Sequence, residues 1–190
     1  SGVPSGFHSL DKITSGWQKS DLIIIAARPA MGKTAFILSM AKNMAVDYNT
    51  PIAVFSLEMS NVQLVNRLIM NVCQLEGEKI KNGQLDAYEW DKFDKDITQL
   101  MDAPVFIDDT PSLSIFELRS KARRLVKEHK IQCIVIDYLQ LMNASGMSFG
   151  SREQEVSIIS RSLKGLAKEL DIPIIALSQL NRGVEGRSGP

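Results

Sequence analysis

Leu22-Ile23-Ile24-Ile25-Ala26-Ala27 runs into Arg28-Pro29-Ala30-Met31-Gly32-Lys33-Thr34, and the chain continues Ala35-Phe36-Ile37-Leu38-Ser39-Met40. Six successive apolar residues, three of them isoleucine, read as a strand covered on both faces. From Lys33 to about Asp47 the apolar residues Phe36, Ile37, Met40, Ala41 and Met44 recur with helical period. Between strand and helix, Ala27 to Thr34 follow the phosphate-binding loop pattern, with Ala27 where its first glycine stands. A tight loop opening into a helix points successive backbone N–H groups and the positive end of the helix dipole at an anion. Ala30, Met31, Gly32, Lys33, Thr34 and Ala35 are therefore the predicted phosphate cradle. Gly32 lets the backbone approach a phosphate, Lys33 reaches the β- and γ-phosphates, and the Thr34 hydroxyl can ligate Mg²⁺.

Outward from this unit, four more short β-branched runs appear: Ile52–Ser56, Val105–Asp108, Cys133–Asp137 and Ile174–Leu177. Helical patterns separate them. Ser60 with Gln63, Asp86 with Glu89, and Ser114 with Glu117 have capping-box spacing, and a last helix from about Glu153 to Asp171 is stopped by Pro173. Strands alternating with helices predict one α/β domain over residues 1–190, a mainly parallel sheet flanked by helices on both faces. In such sheets ligands bind at the carboxyl ends of the strands, where each candidate residue falls.

Cys133-Ile134-Val135-Ile136-Asp137 ends in a carboxylate that can hold Mg²⁺ opposite Thr34, or cap a turn. No second acid follows, since Tyr138 is next, so a water-activating carboxylate must come from elsewhere. Glu58, just past Ile52–Ser56, is placed to orient an attacking water, or simply to start the helix after Ser60. Gln179, at the tip of the fifth strand, can either bond a γ-phosphate or cap a loop.

Composition narrows the classes. The chain has 190 residues, 44% hydrophobic, with 22 basic and 22 acidic side chains. That length supports one core of its own, and the balance excludes a disordered chain or a binder coated in positive charge. Charge is nonetheless uneven: Asp86–Asp102 holds six acids and two lysines, and Ser114–Lys130 holds six bases and two acids. Such helices present solvated faces or a complementary contact between copies. No basic-then-apolar leader is seen, and Leu22–Ala27 is far short of the roughly 18 residues that span a bilayer, so no membrane is expected. Cys73 and Cys133 sit in apolar patterns as reduced core residues, which points to the cytoplasm, and His8 and His129 lack metal-site spacing.

Several motifs, in order, resemble the RecA-like P-loop ATPase core of a DnaB-type replicative DNA helicase. They are Gly6-Phe7 through Leu10-Asp11 with Thr14-Ser15-Gly16-Trp17, then Ala26 to Thr34 with the alanine in place of glycine, then Phe55-Ser56-Leu57-Glu58-Met59-Ser60. Ile136-Asp137-Tyr138-Leu139-Gln140-Leu141-Met142 and Ser178-Gln179-Leu180-Asn181-Arg182 complete the series. The resemblance implies an ATP- and Mg²⁺-dependent motor, a homohexamer encircling single-stranded DNA, with nucleotide between subunits and an arginine supplied by the neighbour. It implies Glu58, Lys33 and Gln179 as catalytic residues and Thr34 and Asp137 as metal ligands. Primase and a helicase loader are implied as partners of the full-length protein. Family members carry an amino-terminal primase-contacting domain and further strands with the arginine finger, so this chain is expected to be a core fragment, weak or inactive alone.

The loop Asn143–Ser151 takes the position that faces the ring channel in RecA-like motors. Arg152, Arg182 and Arg187 are the basic candidates for DNA contact, while Arg161, Lys164 and Lys168 share a helix face that is either solvated or DNA-facing. Two other readings compete with the helicase: a RecA-type recombination or repair ATPase, and a nucleotide-switch scaffold that does not translocate. The opening segment and the alanine in the loop favour the helicase over the first, and Asp137-Tyr138 argues against the second.

Overall fold

The computed structural model describes residues 2–27, 32–73, 79, 82–145 and 150–179. In chain order these form α1 (His8–Thr14), β1 (Leu22–Ala27), α2 (Lys33–Lys42, continued by a π turn over Asn43–Asp47), β2 (Ile52–Ser56) and α3 (Asn61–Cys73). There follow α4 (Ala87–Met101), β3 (Val105–Asp108), α5 (Ile115–His129), β4 (Cys133–Asp137), a 3₁₀ turn (Leu139–Leu141), α6 (Arg152–Leu170) and β5 (Ile174–Gln179). The five strands make one wholly parallel sheet in the order β1-β5-β4-β2-β3.

Alternate residues of each strand feed two cores. Ile134, Ile136, Phe55 and Ala176 face α5 and α6, meeting Leu118, Ala122, Ile159 and Leu163. Cys133, Val135, Val54 and Ile175 face the other way, against Ile37, Met40 and Met44 of α2. Burial on both faces is why the strands read as continuous apolar runs. A third cluster of Leu38, Leu64, Leu68 and Leu100 fastens α3 and α4 onto α2. The capping boxes form at Ser60–Gln63 and at Asp86–Glu89, and the Ser114 hydroxyl accepts the Glu117 N–H.

Three features depart from the expected pattern. β5 reaches Gln179, two residues beyond the apolar run. Among the described residues β1 is an edge strand, and Ile24 is 49% exposed rather than covered. The segment before β1 contains α1, whose Asp11 carboxylate accepts from the Ser5 N–H, the Ser5 hydroxyl and the Gly6 N–H. Cys133 is buried with a free thiol, whose pKa burial pushes up. Among the described residues no helix is long and apolar enough to cross a membrane.

Candidate active site at the strand tips

The carboxyl ends of β1, β5, β4 and β2 lie side by side, and the candidate residues converge there. β2 and β4 are in register from Ile52↔Cys133 to Ser56↔Asp137. Past that rung the Leu57 N–H donates to the Asp137 carbonyl at 2.9 Å, and the Ser56 hydroxyl donates to the Met59 carbonyl at 2.8 Å. These bonds fold the tip of β2 over with Leu57 buried, leaving Glu58 half exposed beside the first turn of α2. Gly32 is the N-cap of α2 with φ +76°, the left-handed region that glycine enters freely. It starts the helix at Lys33, so that the free N–H groups of its first turn open toward the same space.

Lys33 is the hub. Its Nζ lies 3.0 Å from Asp137 Oδ1, 3.5 Å from Glu58 Oε2 and 4.3 Å from the centre of the Tyr138 ring. Lys33 and Asp137 are 8% and 3% exposed at the side chain. Burial raises the Asp137 carboxyl above its usual range, with the nearby Glu58 charge adding to the rise and Lys33 opposing it.

Gly32, Lys33, Thr34, Ala35, Glu58 and Gln179 line one cleft of about 530 Å³, with Met59, Gln63 and Arg67 closing its far wall. Gln63 and Arg67 lie one turn apart on α3 and were not singled out from the sequence. Their signal was available: they follow the Ser60 cap at i+3 and i+7, on the face that Asn71 continues toward Ser39 of α2. Arg67 matters electrostatically. It adds a second positive charge to Lys33 against the Glu58 carboxylate of the same cleft, which favours an anionic ligand.

Ala30 and Met31 of the cradle, and Arg182 and Arg187, lie outside the described residues. Arg152 opens α6, where its guanidinium donates to the Gln140 and Met142 carbonyls and pairs with Glu155. Lys164 is engaged by the Ser20 carbonyl and Asp21.

The donor set suits a hydrated Mg²⁺. Asp137 Oδ1 is buried with the Lys33 ammonium at 3.0 Å as its one polar neighbour among the described residues, and the Thr34 hydroxyl stands in the first turn of α2. Gln179 Oε1 is likewise buried and without a partner at the cleft. Among the described residues no group of three or more His, Cys, Asp or Glu is placed to hold an ion alone. An ion here would share its coordination with a ligand's oxygens and water, as Mg²⁺ does with phosphates.

The chain is similar to known proteins over nearly its whole length. The family model for the DnaB-like helicase C-terminal domain matches residues 2–190. A replicative DNA helicase DnaB from Nostoc sp. is 52% identical over 189 residues, covering 98% of this chain and 21% of that protein. The DnaB of Geobacillus stearothermophilus is 51% identical, covering 98% of this chain and 41% of its own length. A solved structure of a DnaB-like replicative helicase and its interactions with primase superposes with a TM-score of 0.87 at 39% identity, over 100% of this chain and 46% of that one. The chain thus spans less than half the length of these relatives.

Proposed function

Given that this chain belongs to the DnaB-like helicase C-terminal domain family, we propose that it is the ATP-hydrolysing motor core of a replicative DNA helicase. The observation that carries the proposal is the convergence of Lys33, Asp137 and Glu58 at a helix N-terminus, with Nζ within 3.5 Å of both carboxylates. The two acids hold the Lys33 ammonium at the start of the helix. An arriving triphosphate competes for the ammonium, and the N–H groups of the cradle and of the first turn of α2 orient its oxygens. Thr34 and Asp137 hold Mg²⁺, which when bound offsets the charge of the β- and γ-phosphates.

Glu58, half exposed at the tip of β2 and close to Lys33, accepts a proton from the attacking water and aligns it. Gln179, which lines the cleft, donates a carboxamide Nε2–H to the γ-phosphate and loses that partner when the bond breaks. Arg67, on the wall of the same cleft, adds a second positive charge. Arg182 and Arg187 supply basic groups toward single-stranded DNA, while Arg152, engaged by Glu155 and two backbone carbonyls, braces the segment before it.

At the level of the whole protein the proposal is a homohexamer whose neighbouring subunit completes each nucleotide site with an arginine. It works in the cytoplasm with primase and a helicase loader, and the chain is a core segment of it. The test is Glu58→Gln in the full-length protein. Turnover should fall by about 10²-fold or more, in line with loss of a general base, while ATP affinity stays near that of the parent. A variant that turns over normally, or that loses ATP affinity as severely as Lys33→Ala, contradicts the assignment of the base.

A further inference from the structure

The ladder between β4 and β5 ends at Ile136↔Ala176, yet β5 continues to Gln179. β1 pairs with one edge of β5 as far as Ala27↔Gln179. On the other edge β4 has already turned into the Leu139–Leu141 segment, and a side chain takes the strand's place. The Oε1 of Gln140 accepts the Gln179 N–H at 3.1 Å. Its Nε2 donates to the Gln179 carbonyl at 3.3 Å and to the Ser178 hydroxyl at 2.7 Å. A carboxamide carries a donor and an acceptor side by side, as a neighbouring strand's backbone would offer them.

The backbone carbonyl of Gln140 faces a second partner. Arg152 donates to it, and also to the Met142 carbonyl at 3.0 Å and to Glu155. Glu155 Oε2 accepts the Ala144 N–H at 3.1 Å. That N–H, followed by the Arg152 guanidinium, holds the Glu155 carboxyl below its usual range, so it stays charged at neutral pH. A continuous hydrogen-bonded path therefore runs from the backbone of Gln179 through Gln140 and Arg152 to Glu155 and Ala144. It ties the cleft to both ends of the segment between Met142 and Arg152.

We infer that Gln140 is a positioning residue that couples Gln179, at the nucleotide, to the segment between Met142 and Arg152, on the DNA side. The inference rests on the proposed function, in which Gln179 meets the terminal phosphate and that segment faces DNA. A shift of Gln179 moves the Gln140 carboxamide, and with it the carbonyl that Arg152 holds. Gln140 lines no part of the cleft, so its removal uncouples the two regions while leaving the chemistry in place.

The test is Gln140→Met, nearly isosteric without the amide, in the full-length protein. ATP turnover is measured with and without saturating single-stranded DNA, beside DNA affinity in a non-hydrolysable ATP analogue. Expected are basal turnover and DNA affinity within about twofold of the parent, and a stimulation factor lowered by about tenfold, a typical coupling magnitude. Stimulation equal to the parent's overturns the inference alone. So does a proportional loss of basal and stimulated turnover in both Gln140→Met and the shortened Gln140→Asn, which marks a merely structural role. A parent protein that DNA does not stimulate overturns the proposed function together with the inference.

Discussion

Removing the Lys33 ammonium strands a carboxylate, and the cost can be worked from the geometry. Asp137 is 3% exposed at its side chain, and its nearest positive charge is Lys33 Nζ at 3.0 Å. At an effective permittivity of about 20 that separation corresponds to an attraction of roughly 5 kcal/mol, offset by the desolvation of both groups. Lys33→Met leaves Asp137 buried beside Glu58 alone, and the carboxyl escapes by taking up a proton. Protonation sets the ceiling on the penalty. A carboxyl with an ordinary pKa of 3.8 resists protonation at pH 7 by about 4 kcal/mol, at 1.36 kcal/mol per pH unit. Part of that strain exists already, because burial raises Asp137 even in the parent. We therefore expect Lys33→Met to cost about 2–3 kcal/mol in the ligand-free protein at pH 7, a melting temperature lower by about 5–10 °C for a chain of this size. A neutral carboxyl needs no partner, so the penalty should shrink to less than about 1 kcal/mol near pH 4. Lys33→Met with Asp137→Asn should recover most of the loss, and melting of the four proteins at both pH values is the assay. Strictly additive single effects, or a penalty that does not depend on pH, would refute the buried-pair account.

Gly32→Ala probes the start of α2. Among the described residues nothing lies within 4 Å of a Cβ placed there, so the cost is that of a side chain at φ +76°, about 1–2 kcal/mol; calorimetry should find ATP bound about tenfold more weakly. The Asp108–Lys121 pair, 2.7 Å apart, tests an ordinary surface interaction. Burial works against the Asp108 charge, but the bonds from Lys121 and Thr110 outweigh it and lower the pKa. A lowered pKa contributes stability above the ordinary carboxylate value that is lost as pH falls through the lowered one. Asp108→Asn should then cost about 0.5–1 kcal/mol at pH 7 and progressively less as the pH falls below the ordinary carboxylate range, as read by denaturant titration.

Much of the fold was legible because burial on both faces leaves an unambiguous trace. Four of the five strands occupy the ranges that their apolar runs mark, and β5 overshoots because Ser178 and Gln179, polar residues outside the run, still pair with β1 on one edge and bond to the Gln140 side chain on the other. Edge position was not legible. Leu22–Ala27 is as apolar as a central strand, and only the strand order shows that Ile24 faces outward. α1 escaped notice because its seven residues bury none fully.

At the site, Lys33, Glu58 and Asp137 could be proposed from strand-tip positions because the register of β2 and β4 brings those tips together. The second positive charge, Arg67, needed the facing direction of α3. The connections of Arg152 run to backbone carbonyls, which any residue type supplies, so no pattern in the sequence announces them.

The central claim is that one triphosphate sits where Lys33 begins its helix, within reach of three strand tips. It is tested most directly by a structure of the full-length protein with ADP, Mg²⁺ and aluminium fluoride. The account predicts the fluoride group in contact with Lys33, with Glu58 and Gln179 facing it and Thr34 and Asp137 around the metal. A fluoride group lying away from Glu58 and Asp137 would contradict it.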